Sequence, residues 1–206
     1  MKLTGWHWAG IAAGASVLGL AIAWWLLPAN EDEVSDDDAT DPGSPDAAAA
    51  AAGETLAVYC LARATASEEG GQPRSHQVAV ACACLNFARS EFPRLSDELA
   101  VVQLVLGSAG AFGRQGTGGR RVSSSRAPIA LQLDIARDVL AGLVGDPTDG
   151  ATQWDSPKGQ RALLAQGDPL TKKTPQQVAD DRMAKGYELV TVPGIDPDDL
   201  RFWRRA

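Results

Sequence analysis

Among the ionisable side chains of this 206-residue chain, Glu68 stands where a carboxyl group is best placed to hold a proton near neutral pH. Ala57, Cys60, Leu61, Ala64 and Glu68 recur at helical spacing, so Glu68 prolongs the apolar stripe of an amphipathic helix while Glu69 is turned about 100° away from it. Gly70 and Gly71 then stop the helix, which leaves Glu68 in its last turn beside unpaired carbonyls and the negative end of the macrodipole. Partial burial and that dipole both raise a carboxyl pKa. A neutral carboxylic acid at working pH is what general-acid cleavage of a glycosidic bond requires.

The elements that must position Glu68 follow from the periodicity. A first helix spans residues 54–69, and Ser75 stands as the cap of a second, in which Val78, Ala81, Cys82 and Leu85 share a face, so the pair forms a helical hairpin. Ser96 caps a third helix through Leu106. Pro128 stands near the start of a fourth, with Ile129, Leu133, Ala136, Leu140 and Leu143 as its core face. Thr174, Pro175 and Gln177 make a capping box with a first-turn proline before a helix that ends at Gly186. Tyr187 to Val192 is the one convincing strand, and Asp196-Pro197 opens a final short helix. The fold class expected is mainly α (α+β), with a small β element.

The hairpin residues also carry a family resemblance. Leu61 to Arg63, Glu68, Gly71, Gln77 to Ala81 and Asn86 resemble the opening motif of the SleB-type cell wall hydrolases, and Asp146 to Trp154 resembles a second block of that family. The likeness covers residues 55–154 well and the remainder weakly. It implies a lysozyme-like or lytic-transglycosylase-like domain acting on peptidoglycan glycan strands, with Glu68 as catalytic acid. Gln77, Asn86, Phe112, Gln115, Thr152, Gln153 and Trp154 are the substrate-binding positions it implies. With no second carboxylate marked as clearly, a single glutamate favours the transglycosylase route, in which the sugar's own hydroxyl attacks. Water as nucleophile stays open. Gln72, Gln153 and Leu200 depart from the family pattern, where a glutamate and two histidines are frequent. They support a rival reading: a non-catalytic peptidoglycan-binding or assembly protein on the same fold.

Charge and hydropathy divide the rest of the chain. The formal net charge is −7, yet of 26 acidic residues eight lie between Pro28 and Gly53, and residues 54–206 hold 18 acidic against 18 basic side chains. A neutral domain gives no footprint for nucleic acid. Trp6 to Leu27 is an uncharged run of 22 residues, long enough to cross a bilayer, with tryptophans at both ends. Lys2 before it and Glu31 to Glu33 after it favour a cytoplasmic N-terminus, with the domain in the periplasm or cell wall space. Cleavage after Ala23 as a signal peptide is the competing reading, but Trp24 to Leu27 carry the apolar run past that site. Residues 28–53, rich in aspartate and alanine, read as a disordered acidic linker, and residues 54–206 as the domain.

The segment 107–126, rich in glycine and arginine and containing Phe112 and Gln115, reads either as a surface loop or as a wall of a glycan cleft. The three cysteines make neither a disulfide framework nor a zinc set, and no cofactor or metal is expected. Cys60 falls level with Cys82 and Cys84 across the hairpin, where one bridge is geometrically possible. His76, the domain's only histidine, fits a first-turn surface position, so no serine-histidine or cysteine-histidine pair is visible.

Overall fold

The computed structural model describes residues 45–69, 72–106, 127–168 and 171–206. Within them the chain is mainly helical with a small sheet. The order is α1 (Pro45–Ala51), α2 (Leu56–Glu69), α3 (Arg74–Glu91), α4 (Asp97–Leu106), α5 (Ala130–Leu140), β1 (Gln153–Asp155), α6 (Pro157–Ala165), α7 (Pro175–Ala184), β2 (Tyr187–Val190) and β3 (Arg201–Arg205). No helix among the described residues is long and apolar enough to cross a membrane, and the expected anchor at residues 6–27 lies outside them.

Helix α1 corrects the expected linker. The alanine run that reads as a tether is helical instead, because alanine has the highest helix propensity and its methyl groups allow close approach to α2. Ala49 is buried, and the chain leaves α1 through Gly53 at φ 71°, a left-handed turn that glycine adopts without strain. The domain therefore begins at least nine residues before Glu54. Thr55 caps α2, its Oγ1 accepting from the Val58 N–H at 3.3 Å.

Helix α3 is the central element. Cys82, Leu85 and Ala88 face a core shared with α2, α4 and α5, while Ala79, Val80 and Ala83 face a second cluster with Val192, Leu200 and Phe202. The small residues on that second face let the sheet come close. Pro73, not Ser75, precedes the first turn of α3, so that helix begins on a proline without a side-chain cap. Ser96 does cap α4, with the Leu99 N–H donating to its Oγ at 3.4 Å.

In α5 the buried face is Gln132, Ile135, Ala136 and Val139, rotated from the expected one. Ile129 is 62% exposed and Leu143 is 76% exposed, because helical geometry begins only at Ala130 and ends at Leu140, before Gly142 turns left-handed at φ 67°.

The sheet has the order β1-β3-β2, antiparallel throughout. Trp154 pairs with Phe202, and Val190 with Phe202 from the other side. β2 is the expected strand, shortened at its end. The final helix is absent: Asp196 Oδ1 accepts from the Asp198 N–H at 2.8 Å, an Asx turn, and the chain then enters β3. In the extended strand Phe202 shares a cluster with Ala79 and Val80 of α3 while Trp203 points to the opposite face beside Arg182 and Arg201, a two-sided burial that one turn of helix would not permit. Helix α6, capped by Ser156 with Pro157 in its first turn, is an element the periodicity did not reveal. Helix α7 starts on the expected box of Thr174 and Gln177.

Candidate active site and the cleft beside it

Glu68 lies half-buried in the last turn of α2. The side chain of Glu69 and both hairpin glycines lie outside the described residues. Cys60, Cys82 and Cys84 are buried and unbridged, and burial pushes each up to about 12. For Cys84 the charge of Glu68 adds to that rise, so the carboxylate is near α3. The bridge that hairpin geometry allowed is not formed.

Gln77 is 2% exposed, and both ends of its amide are engaged. Its Nε2 donates to the Gln72 carbonyl at 2.7 Å, and its Oε1 accepts from Gln132 Nε2 at 2.7 Å. Gln132 Oε1 in turn accepts from the Ile129 N–H at 2.9 Å. This relay ties the hairpin turn to the start of α5, the point where segment 107–126 rejoins the described chain. Gln77 is therefore a buried link between the start of α3 and α5. Phe112 and Gln115 lie outside the described residues.

Asn86 has a similar part. Its Nδ2 donates to Asp146 Oδ2 at 2.7 Å and to the Ala151 carbonyl at 3.2 Å. Asp146 also accepts from the Thr148 N–H at 2.8 Å, from Thr148 Oγ1 at 2.6 Å and from the Gly150 N–H at 3.0 Å. Burial pushes the Asp146 carboxyl up, but the hydrogen bonds from Thr148, Asn86 and Gly150 outweigh it and hold the group below the ordinary carboxylate range. Such an acid is fully ionised and committed to its turn, which leaves it no proton to donate. Asp149, at φ 49°, completes the left-handed corner with Gly150.

Thr152 to Trp154 run into β1. The Thr152 N–H donates to the Trp203 carbonyl at 3.1 Å, and Trp154 packs against both apolar clusters. Gln153 donates through Nε2 to the Tyr187 hydroxyl at 2.7 Å and accepts from Arg182 at 2.5 Å. Its amide is occupied on the side facing α7.

Sequence reasoning missed a polar cluster centred on Asp155. Asp155 receives Trp203 Nε1 at 2.6 Å and Arg201 Nε at 3.1 Å, with Arg182 Nε at 3.6 Å. The two guanidinium carbons lie 5.6 and 5.4 Å from the centroid of the Trp203 ring, a double cation–π arrangement. Burial lowers the pKa of Arg182. Its other donors go to Gln153 and the Trp154 carbonyl, so the cluster clamps α7 to the sheet. The signal available was the sequence of β3 itself, Arg201-Phe-Trp-Arg-Arg205, which favours an extended strand.

A cleft of about 270 Å³ opens between the first turn of α3, the start of α6 and the turn before β3. Gln72, His76, Ser156, Lys158, Gly159 and Asp199 line it. His76, expected on the surface, is 7% exposed. Among the described residues no group of metal-ligating side chains converges. Comparisons with protein-family models, with curated proteins and with solved structures found no match.

Proposed function

We propose that this chain cleaves the glycan strands of peptidoglycan, with Glu68 as the proton donor, on a lysozyme-like helical domain. The observation that carries the reading is the convergence of three segments far apart in sequence. Residues 61–86 form the α2–α3 hairpin, Asn86 binds the turn that begins at Asp146, and β1 from that turn pairs with β3 at Phe202 and Trp203. The first two are the segments whose residue patterns resemble SleB-type cell wall hydrolases, and together with β3 they build one contiguous body around α3.

The chemistry follows from how the carboxylates are used. Asp146 is held ionised by its turn, and Asp155 is held by Trp203 and Arg201, so neither is available as a second catalytic acid. A single glutamate at a helix end supports a route in which Glu68 protonates the glycosidic oxygen and the C1–O bond breaks through an oxocarbenium-like state. The same carboxylate then takes the proton of the sugar's own hydroxyl as that oxygen closes on C1, leaving an anhydro-sugar end. The proposal includes residues 6–27 as a single-pass anchor that holds the domain on the outer side of the cytoplasmic membrane.

Mass spectrometry of soluble products from purified sacculi tests it. Release of muropeptides with anhydro ends is expected. Reducing ends would mean that water is the nucleophile. A folded protein that binds sacculi and releases nothing would move the reading to a non-catalytic peptidoglycan-binding protein.

A further inference from the structure

The cleft at the start of α3 holds a polar group that the fold does not use. His76 is 7% exposed, and its backbone N–H is satisfied by the Pro73 carbonyl at 3.1 Å. Its imidazole lines the cleft and has no hydrogen-bond or ion-pair partner among the described residues. An imidazole that lines an opening and has no partner in the fold offers its ring nitrogens to whatever fills the cleft.

The rest of the lining says what kind of ligand. At the mouth, Lys158 Nζ meets Asp199 Oδ1 at 2.9 Å, with the two side chains 71% and 41% exposed. An exposed ion pair of this kind is weakly held, so its two charges are free to exchange each other for a ligand's opposite charges. Gly159 leaves the floor as backbone, since a Cβ there would stand 3.0 Å from Ser156 Oγ. Among the described residues no phenyl, phenol or indole ring lines the cleft, so none of them offers the platform on which a pyranose face stacks. The volume suits about one amino-acid residue.

We propose that this cleft binds a peptide residue carrying both an ammonium and a carboxylate on one carbon, the chemistry of the diamino acid in a peptidoglycan stem peptide. Lys158 takes the carboxylate and Asp199 the ammonium, while His76 and Gln72 bond the adjoining peptide group. The identity of the peptide rests on the glycan-cleaving reading: Gln72 follows Glu68 by four residues, and stem peptides hang from the strand close to the bond to be cut.

Isothermal titration of the full chain with the synthetic tripeptide L-alanyl-γ-D-glutamyl-meso-diaminopimelate tests the proposal, with the L-lysine tripeptide, which lacks the distal carboxylate, as control. Saturable binding is expected, weakened about tenfold or more by the control peptide, by Lys158→Gln or by Asp199→Asn. Both side chains are substantially exposed, so these variants keep the fold, and circular dichroism checks that they do. No saturable binding by folded wild type, or binding that both variants leave within about twofold, overturns the proposal. Sacculus turnover is measured in parallel. Turnover without tripeptide binding overturns this site and leaves the glycosidase reading standing; binding without turnover sustains the site and overturns the glycosidase reading.

Discussion

The buried amide relay under the hairpin gives a quantitative test of what Gln77 does. Gln77 and Gln132 are each 2% exposed and joined Oε1 to Nε2 at 2.7 Å. Replacing either by methionine keeps chain length and volume but leaves the partner amide with one buried group unpaired. An orphaned buried polar group costs about 1–3 kcal/mol, so each single variant should lose about 2 kcal/mol, or about 4–8 °C in melting temperature. The double variant removes both ends of the buried bond. Only the Gln72 carbonyl and the Ile129 N–H then lose partners, and both belong to exposed residues that water can reach. Its cost should therefore stay near that of one single variant, giving a coupling of about 2 kcal/mol where independent sites would add to about 4 kcal/mol. Urea unfolding of the four proteins measures this cycle. Additive losses would refute the relay. Unchanged stability of Gln77→Met with loss of sacculus binding would instead return Gln77 to the ligand surface.

Three further outcomes follow from the same geometry. Asp146 is held below the ordinary carboxylate range, so its share of stability is full above that range and is lost as pH falls through its depressed pKa; Asp146→Asn should flatten the acid limb of stability against pH, measured by thermal melts, and an unchanged limb would contradict the turn's energetics. Cys60, Cys82 and Cys84 are buried with thiols pushed up to about 12, so a thiol reagent at mildly alkaline pH should leave all three unmodified in the native protein and modify them in urea, and fast native modification would contradict their burial. Trp154 packs against both clusters, so Trp154→Ala should cost about 3 kcal/mol and lower activity only in step with stability. A stable Trp154→Ala with weakened sacculus binding would show that the ring faces the substrate.

What the sequence made legible was local. The hairpin, the Ser96 cap and the Thr174–Gln177 box were readable because each depends on residues within a few positions of one another. Helix α1 was hidden because a run of alanines has no bulky stripe, and its burial depends on a partner helix that composition does not reveal. The face of α5 was misjudged because Gln132, a polar residue, is buried through its bond to Gln77, 55 residues away. β1 and β3 were missed for the same reason: each is short, and its pairing is set by contacts across about fifty residues. At the candidate site, the half-buried place of Glu68 in the last turn of α2 was legible from helical spacing, whereas Gln77, Asn86 and Gln153 were assigned to substrate from a motif. The structure shows their amides engaged with Gln132, Asp146, Tyr187 and Arg182, contacts that no spacing rule foretells. His76 was misplaced because α6, whose start forms another wall of the cleft that His76 lines, was not foreseen.

The central claim is that Glu68 is the catalytic acid, and release of muropeptides from purified sacculi by wild type, Glu68→Gln and Glu69→Gln tests it most directly. Loss of a proton donor costs on the order of 10² to 10⁴ in rate, so Glu68→Gln should release almost nothing while keeping its helical circular dichroism and melting temperature, and Glu69→Gln should keep most of the wild-type rate. Wild-type turnover that survives in Glu68→Gln, or that is lost in Glu69→Gln instead, would contradict the assignment.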